Sequence, residues 1–350
     1  MNLQELKIGY VPLTEDLSGP GDRRRFVSYA NDRKLNFEVA DSRKSYDVVY
    51  LTYMANNAEW MAYKKKHGSR VKLIYELVDS YMAEQPSVKS RLRGLAKFFT
   101  GKSDKLYLDY RKSIAEVCRI SDAVVCSTLE QLKTLQAFNQ NVHLSLDVFD
   151  DDISATKDNF GVAEKLKLVW EGQPYTISNL LAIKDVLNEL HDEIELHLVT
   201  DVAYFRYSKK YFKRKTLDIL KDLTCEIVLH PWEKATFSKH VCECDLAIIP
   251  IDLKNPLATG KPENKLVLFW MSQMPVITSP TPAYSRVMQK SGINMCAGNL
   301  NEWKTQIRHW KDKTKGERAQ IADQAKRFSQ HAFSREKLYH DWDNLLVSVL

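Results

Sequence analysis

Short apolar, β-branched runs separated by stretches of helical spacing recur along the chain, and the pattern is laid down twice. In the first half the runs are Leu6 to Val11, Tyr46 to Tyr53, Val71 to Val78, the SDAVVC stretch from Ser121, and Val142 to Leu146. In the second half they are Leu166 to Glu171, Ile194 to Thr200, Glu226 to Leu229, Cys244 to Pro250 and Val276 to Thr278. Runs this short and this uniformly apolar predict strands buried in parallel sheets. Leu266, Phe269 and Trp270 fall on one helical face, and Pro275 stops that helix. Near the end, Trp342, Leu345, Leu346 and Val349 repeat at the spacing of a helix with one buried stripe. Between the halves, Asp150, Asp151 and Asp152 run into ISATKDNFG, which reads as an exposed linker in preference to a metal site. The pattern predicts an α/β protein of two domains.

Composition narrows the class. At 350 residues, 44% hydrophobic and 27% charged, the chain suits a soluble protein with two cores. No apolar run reaches membrane-spanning length and MNLQELKIGYVPL has no signal-peptide core, so a cytoplasmic location is expected. The net charge of +6 fits anionic partners such as nucleotide phosphates or an acidic membrane surface, but is too diffuse for nucleic acid. The six cysteines follow no disulfide spacing, and Cys242-x-Cys244 alone is a weak metal signal. No G-x-G-x-x-G follows the first strand of either half, which argues against a dinucleotide-dependent dehydrogenase.

The candidate chemistry gathers in a few stretches. Gly260 to Tyr284 puts Lys261, Glu263, Asn264 and Lys265 at the start of a helix, where free N–H groups already favour an anion such as a diphosphate. Its short strand ends in Ser279, Pro280, Thr281 and Pro282. Ser279 and Thr281 read either as hydrogen-bond donors to phosphate or ribose, or as structural caps. In the loop after the first strand, Gly21, Asp22, Arg24 and Arg25 form either a phosphate-holding turn or a solvated charge run before a helix. Asp79 ends the Val71 to Val78 run, where Asp is a common helix N-cap. Trp232, in the HPW turn, reads by itself as an aromatic covering the core. The segment 88–105 carries Val88, Leu92, Leu95 and Phe99 on one face and Lys89, Arg91, Arg93, Lys97, Lys102 and Lys105 elsewhere. That is either a basic amphipathic helix on an anionic membrane or a core helix with a solvated face.

HPW, CDLAIIP, KPENK and MSQMPVITS, in that order, resemble the donor-binding half of GT-B-fold glycosyltransferases of the group-1 kind that build bacterial surface polysaccharides. The match to A-x-G-x-P-V-I places Gln273 where the glycine stands, and the Glu-x7-Glu signature falls on Gly260 and Leu268. The resemblance implies two Rossmann-like domains facing across a cleft, 1–158 on the acceptor side and 159–330 on the donor side, with 331–350 crossing back as a helix. It implies donor contacts from Gly172, Gln173, Trp232, Lys261, Glu263, Asn264, Lys265, Ser279 and Thr281. Asp79, Arg24 and Lys265 become the catalytic candidates, and Gly21, Asp22, Arg24 and Arg25 an acceptor or phosphate loop. The expected donor is a UDP- or GDP-linked sugar, with no other cofactor and no metal. The expected acceptor is a glycan or a polyprenyl-diphosphate-linked glycan, met at the inner face of the cytoplasmic membrane. The missing Glu-x7-Glu keeps a non-catalytic sugar-nucleotide or polyprenyl-phosphate binding subunit, or a GT-B-fold epimerase, as alternatives.

Overall fold

The computed structural model describes residues 3–83, 110–205 and 213–350. The chain divides into two compact units: Met1–Val148 with Gly260–Pro262 and Arg335–Leu350, and Phe149–Thr259 with Glu263–Ser334. The division falls after Val148 and before Arg335, where the sequence suggested 158 and 330. The basic amphipathic segment 88–105 lies outside the described residues.

Unit 1 is built on a parallel sheet of β1 (Ile8–Val11), β2 (Phe37–Val39), β3 (Val48–Leu51), β4 (Lys72–Leu77), β5 (Ala123–Cys126) and β6 (Val142–Leu144), in the order β2-β1-β3-β4-β5-β6. The central strands β3 and β5 are buried along their whole length, as their unbroken apolar runs require. The helix Arg335–Val349 closes one face, burying Leu338, Trp342, Leu345 and Leu346 among Tyr10, Phe26, Tyr29 and Tyr50. The Trp342 ring stacks on Tyr29 at 5.5 Å, which explains the periodicity of the last fifteen residues. Thr128 caps the helix Leu129–Leu135 by accepting from the Gln131 amide.

Unit 2 carries β7 (Leu166–Glu171), β8 (Ile194–Val199), a hairpin of β9 (Ala203–Phe205) and β10 (Lys213–Lys215), β11 (Glu226–His230), β12 (Leu246–Ile249) and β13 (Val276–Thr278). Its parallel sheet runs β11-β8-β7-β12-β13, and the hairpin stands apart as a two-stranded antiparallel ribbon. After β7 the chain forms a 3-10 helix, Pro174–Ile183, and only then an α-helix, Lys184–Glu189. The stretch read as an exposed linker is anchored in unit 2. Lys157 and Phe160 are buried, the Lys157 amide donates to the Ser272 carbonyl, and its ammonium donates to the carbonyls of Cys242 and Cys244 at 3.3 and 2.5 Å. A buried lysine that donates to two carbonyls costs far less than one left unpaired.

Gln273 shows why its place usually belongs to glycine. At the end of the helix Asn264–Met271, Gln273 N–H donates to Trp270 and Met274 N–H to Phe269, a Schellman closure that requires a left-handed residue. Gln273 supplies it at φ 60°, while Gly292 fills the same role after the helix Pro282–Ser291 at φ 71°. All six cysteines are free. Among the described residues, no helix is long and apolar enough to cross a membrane, and no group of His, Cys, Asp or Glu is disposed to hold a metal ion.

Candidate functional site

In unit 2 the chain leaves β7 toward β8 on one side and reaches β12 on the other, so the strand order reverses between β7 and β12. Parallel α/β sheets bind ligands outside the carboxyl ends of strands at such a point. Gly172 is the first residue past β7 there. A Cβ on it would stand 2.6 Å from Lys265 Nζ and 2.9 Å from the Trp170 ring, so only glycine admits both neighbours. Lys265, in the first turn of the helix Asn264–Met271, donates to the Glu171 carbonyl. Its Nζ also lies 3.9 Å from the Glu171 carboxylate and 4.8 Å from the Trp170 ring centroid, a cation–π contact. The lysine side chain remains 23% exposed, beside Gly172 at the start of its helix. Glu263 is the buried N-cap residue of that helix. Burial, reinforced by Glu263 and Glu171, pushes the Tyr284 hydroxyl well above its ordinary range.

The other residues expected around a donor are placed less uniformly. Asn264 is half-buried in the same first turn as Lys265. Gln173 is exposed, accepts from the Tyr175 hydroxyl, and offers its carbonyl to Thr176. Trp232 is half-buried after β11, its amide bonded to the Thr200 carbonyl and its ring 6.3 Å from Phe237. Ser279 is buried, and its hydroxyl bonds the Ile251 amide at 2.9 Å, tying the end of β13 to the end of β12. Thr281 is fully buried and caps the helix Pro282–Ser291 through the Tyr284 amide. Both hydroxyls therefore serve the framework around the switch point.

Unit 1 separates its candidates further. Asp79 follows β4 half-buried, and next to it the Ser80 hydroxyl donates to the Gly260 carbonyl at 2.8 Å. That bond fixes the segment bearing half-buried Lys261 at the end of β4. In the loop after β1, Asp22 is fully buried and accepts from the Tyr10 hydroxyl, the Leu13 and Thr14 amides and the Thr14 hydroxyl. Gly21 lets Leu13 approach, since a Cβ would meet its Cδ1 at 2.1 Å. Arg25 corrects the reading of this loop as a phosphate turn. Its guanidinium is fully buried and donates to Glu76 at 2.5 Å, to Asp147 at 3.1 Å and to the Ser145 carbonyl at 3.0 Å. Burial pulls the guanidinium down, but Glu76 and Asp147 more than offset it and keep it protonated. Asp22 and Arg25 thus build the loop and leave half-buried Arg24 as its cationic candidate; the Arg24 carbonyl accepts from Val148.

Sequence reasoning missed Glu171, Trp170 and Tyr284 as members of the Lys265 cluster. The acid closing LKLVWE directly before Gly172 was the available signal. It also missed the stacked imidazoles of His197, His230 and His240, with ring centroids 5.2 and 4.3 Å apart, which sequence distance conceals.

No protein-family model and no curated protein sequence matches the chain. Solved structures do. HepE of Anabaena in complex with UDP and glucose aligns over 98% of this chain and 100% of its own, at TM-score 0.66 and 14% identity. A mutant of S. aureus TarM in complex with Fondaparinux, alpha-GlcNAc-glycerol and UDP aligns over 85% of this chain at TM-score 0.57 and 13% identity. This chain spans only 55% of TarM. Sucrose-phosphate synthase from Thermosynechococcus elongatus aligns over 87% of this chain and 74% of its own, at TM-score 0.56 and 10% identity. At these identities the likeness carries the fold: two Rossmann-like units of the GT-B kind, with the C-terminal helix on the N-terminal unit.

Proposed function

We propose that the chain is a glycosyltransferase that moves a sugar from a UDP- or GDP-linked donor to an acceptor hydroxyl. The carrying observation is the Gly172–Lys265–Glu171 cluster at the switch point of unit 2. A diphosphate over Gly172 meets a close backbone, the Lys265 ammonium and the start of the helix Asn264–Met271, which together neutralise a leaving diphosphate without a metal ion. Lys261 and Arg24, in unit 1, are the further cationic candidates that the resemblance offers. Glu263 then takes ribose hydroxyls, Asn264 the phosphate or ribose, and Trp232 the base face. Asp79 is the pocket carboxylate, orienting a sugar hydroxyl in a retaining reaction or serving as general base in an inverting one.

HepE and TarM were both solved with UDP, which makes uridine the first nucleotide to try. The acceptor we favour is a glycan on polyprenyl diphosphate in surface-polysaccharide assembly, reached from the cytoplasmic side. One observation favours a second reading. Lys265 is already engaged by Glu171, and the Glu-x7-Glu carboxylates are absent, as in a subunit that binds a sugar nucleotide without turning it over. Donor hydrolysis and transfer assays decide: turnover lost in Asp79→Asn with nucleotide binding retained supports the transferase, and binding without turnover in the parent chain supports the subunit. Net isomerisation of the sugar would instead mark an epimerase. A melting temperature unmoved by every nucleoside diphosphate and its sugars overturns the donor site itself.

A further inference from the structure

The β9–β10 hairpin of unit 2 has no part in the donor site. It leaves the sheet after β8 and presents Lys213, Arg214 and Lys215, all exposed, on its outer strand. Arg214 pairs in register with half-buried Tyr204, and the Thr216 amide extends the ribbon by bonding the Val202 carbonyl. Around its base lie four large apolar side chains left open: Tyr175 at 65% exposure, Val202 at 50%, Leu217 at 39% and Leu181 at 38%. They belong to one neighbourhood, because the 3-10 helices Pro174–Ile183 and Thr216–Ile219 pack on each other and on the hairpin strands. No acidic residue occurs in the sequence between Asp201 and Asp218, which bracket the hairpin.

Exposed cations beside exposed aliphatic and aromatic groups are the two features that hold a protein at an anionic bilayer: charge attracts the headgroups and apolar side chains enter the boundary. We infer that the strand Lys213–Lys215 and the apolar side chains at its base form a docking surface for an anionic phospholipid membrane. A polynucleotide would use the cations but gain nothing from Val202, Leu217 and Leu181, so the lipid surface is favoured. The inference deepens the membrane side of the proposed function and requires no donor binding.

Sedimentation with phosphatidylcholine vesicles, with and without phosphatidylglycerol, tests it in the absence of nucleotide. The parent chain binds the anionic vesicles, less so at raised salt, and ignores the neutral ones. Replacing Lys213, Arg214 and Lys215 together by Ser lowers that binding about a hundredfold, three charges at about 1 kcal/mol each. Val202→Ser with Leu217→Ser weakens it with the charges intact. Unchanged binding in both variants overturns the hairpin as the surface while leaving a membrane location standing. Failure of the parent chain to bind anionic vesicles, or binding of single-stranded RNA in its place, overturns the inference outright.

Discussion

Arg25 in unit 1 and Lys265 in unit 2 are both basic side chains held by acids and a backbone carbonyl, yet they do opposite work. The guanidinium of Arg25 is wholly enclosed and spends its donors on Glu76, Asp147 and Ser145. The ammonium of Lys265 touches the Glu171 carbonyl, stands 3.9 Å from its carboxylate, and keeps 23% of the side chain open to solvent beside a glycine. A fully buried ion pair cannot take up a ligand without losing its own compensation. A partly exposed cation 3.9 Å from a carboxylate can exchange that contact for a phosphate at little cost. Sequence alone puts both in basic clusters near a helix start, and burial is what tells them apart.

The comparison breaks first where the buried pair is cut. Arg25→Met leaves the Glu76 and Asp147 carboxylates without their cation and should cost about 3–5 kcal/mol. Denaturation followed by circular dichroism measures it, and a loss below about 1 kcal/mol would mean the pair is not the keystone described. Gly172→Ala should be milder, about 1–3 kcal/mol, since the lysine tip can swing aside but the buried Trp170 ring cannot. Its sharper signature is lost nucleotide affinity, read by calorimetric titration.

The stacked histidines of unit 2 lie between these extremes. Burial lowers His197 and His230 below the ordinary imidazole range; Glu195 pulls His197 back up, and His240 pushes His230 down further. Lys167, Asp245 and Glu243 are the other charges acting on the stack. Because folding favours the neutral rings, their contribution is complete above about pH 6.5 and fades as the pH drops through the folded values. The melting temperature should therefore hold level above that pH and decline below it, with a shallower decline in His197→Gln. His143, also lowered by burial, adds a smaller slope from unit 1. An equal decline in the variant would remove the stack from the account.

Much of this fold could be read before the structure. The unbroken runs of β3, β5 and β12 and the mainly apolar ones of β4, β7 and β8 announce parallel strands, and Trp342 to Val349 announce a packed helix. The short edge strand β2 and the β9–β10 ribbon were not legible, because FEV and KRK carry charges in place of an apolar run, unlike the equally short VIT of β13. Gly172 and Lys265 were legible as candidates, one through the resemblance and one through its place at a helix start, and the structure brings them side by side. The candidate site was not legible at Arg25 or Asp22, since a charged side chain satisfied by Glu76, Asp147 or Tyr10 gives no local sign of its distant partners. Lys157 misled for the same reason: its acceptors are carbonyls 85 and 87 residues away.

The most direct test of the central claim is a calorimetric titration of UDP into the parent chain and into Lys265→Ala, with the melting temperature of each recorded alongside. The account predicts saturable binding to the parent, binding weakened at least about tenfold in the variant, and a stability change no larger than about 1 kcal/mol, the worth of a partly exposed ion pair. Equal affinity in the two chains, or a variant that loses its fold in place of its ligand, would contradict it and return Lys265 to the same structural class as Arg25.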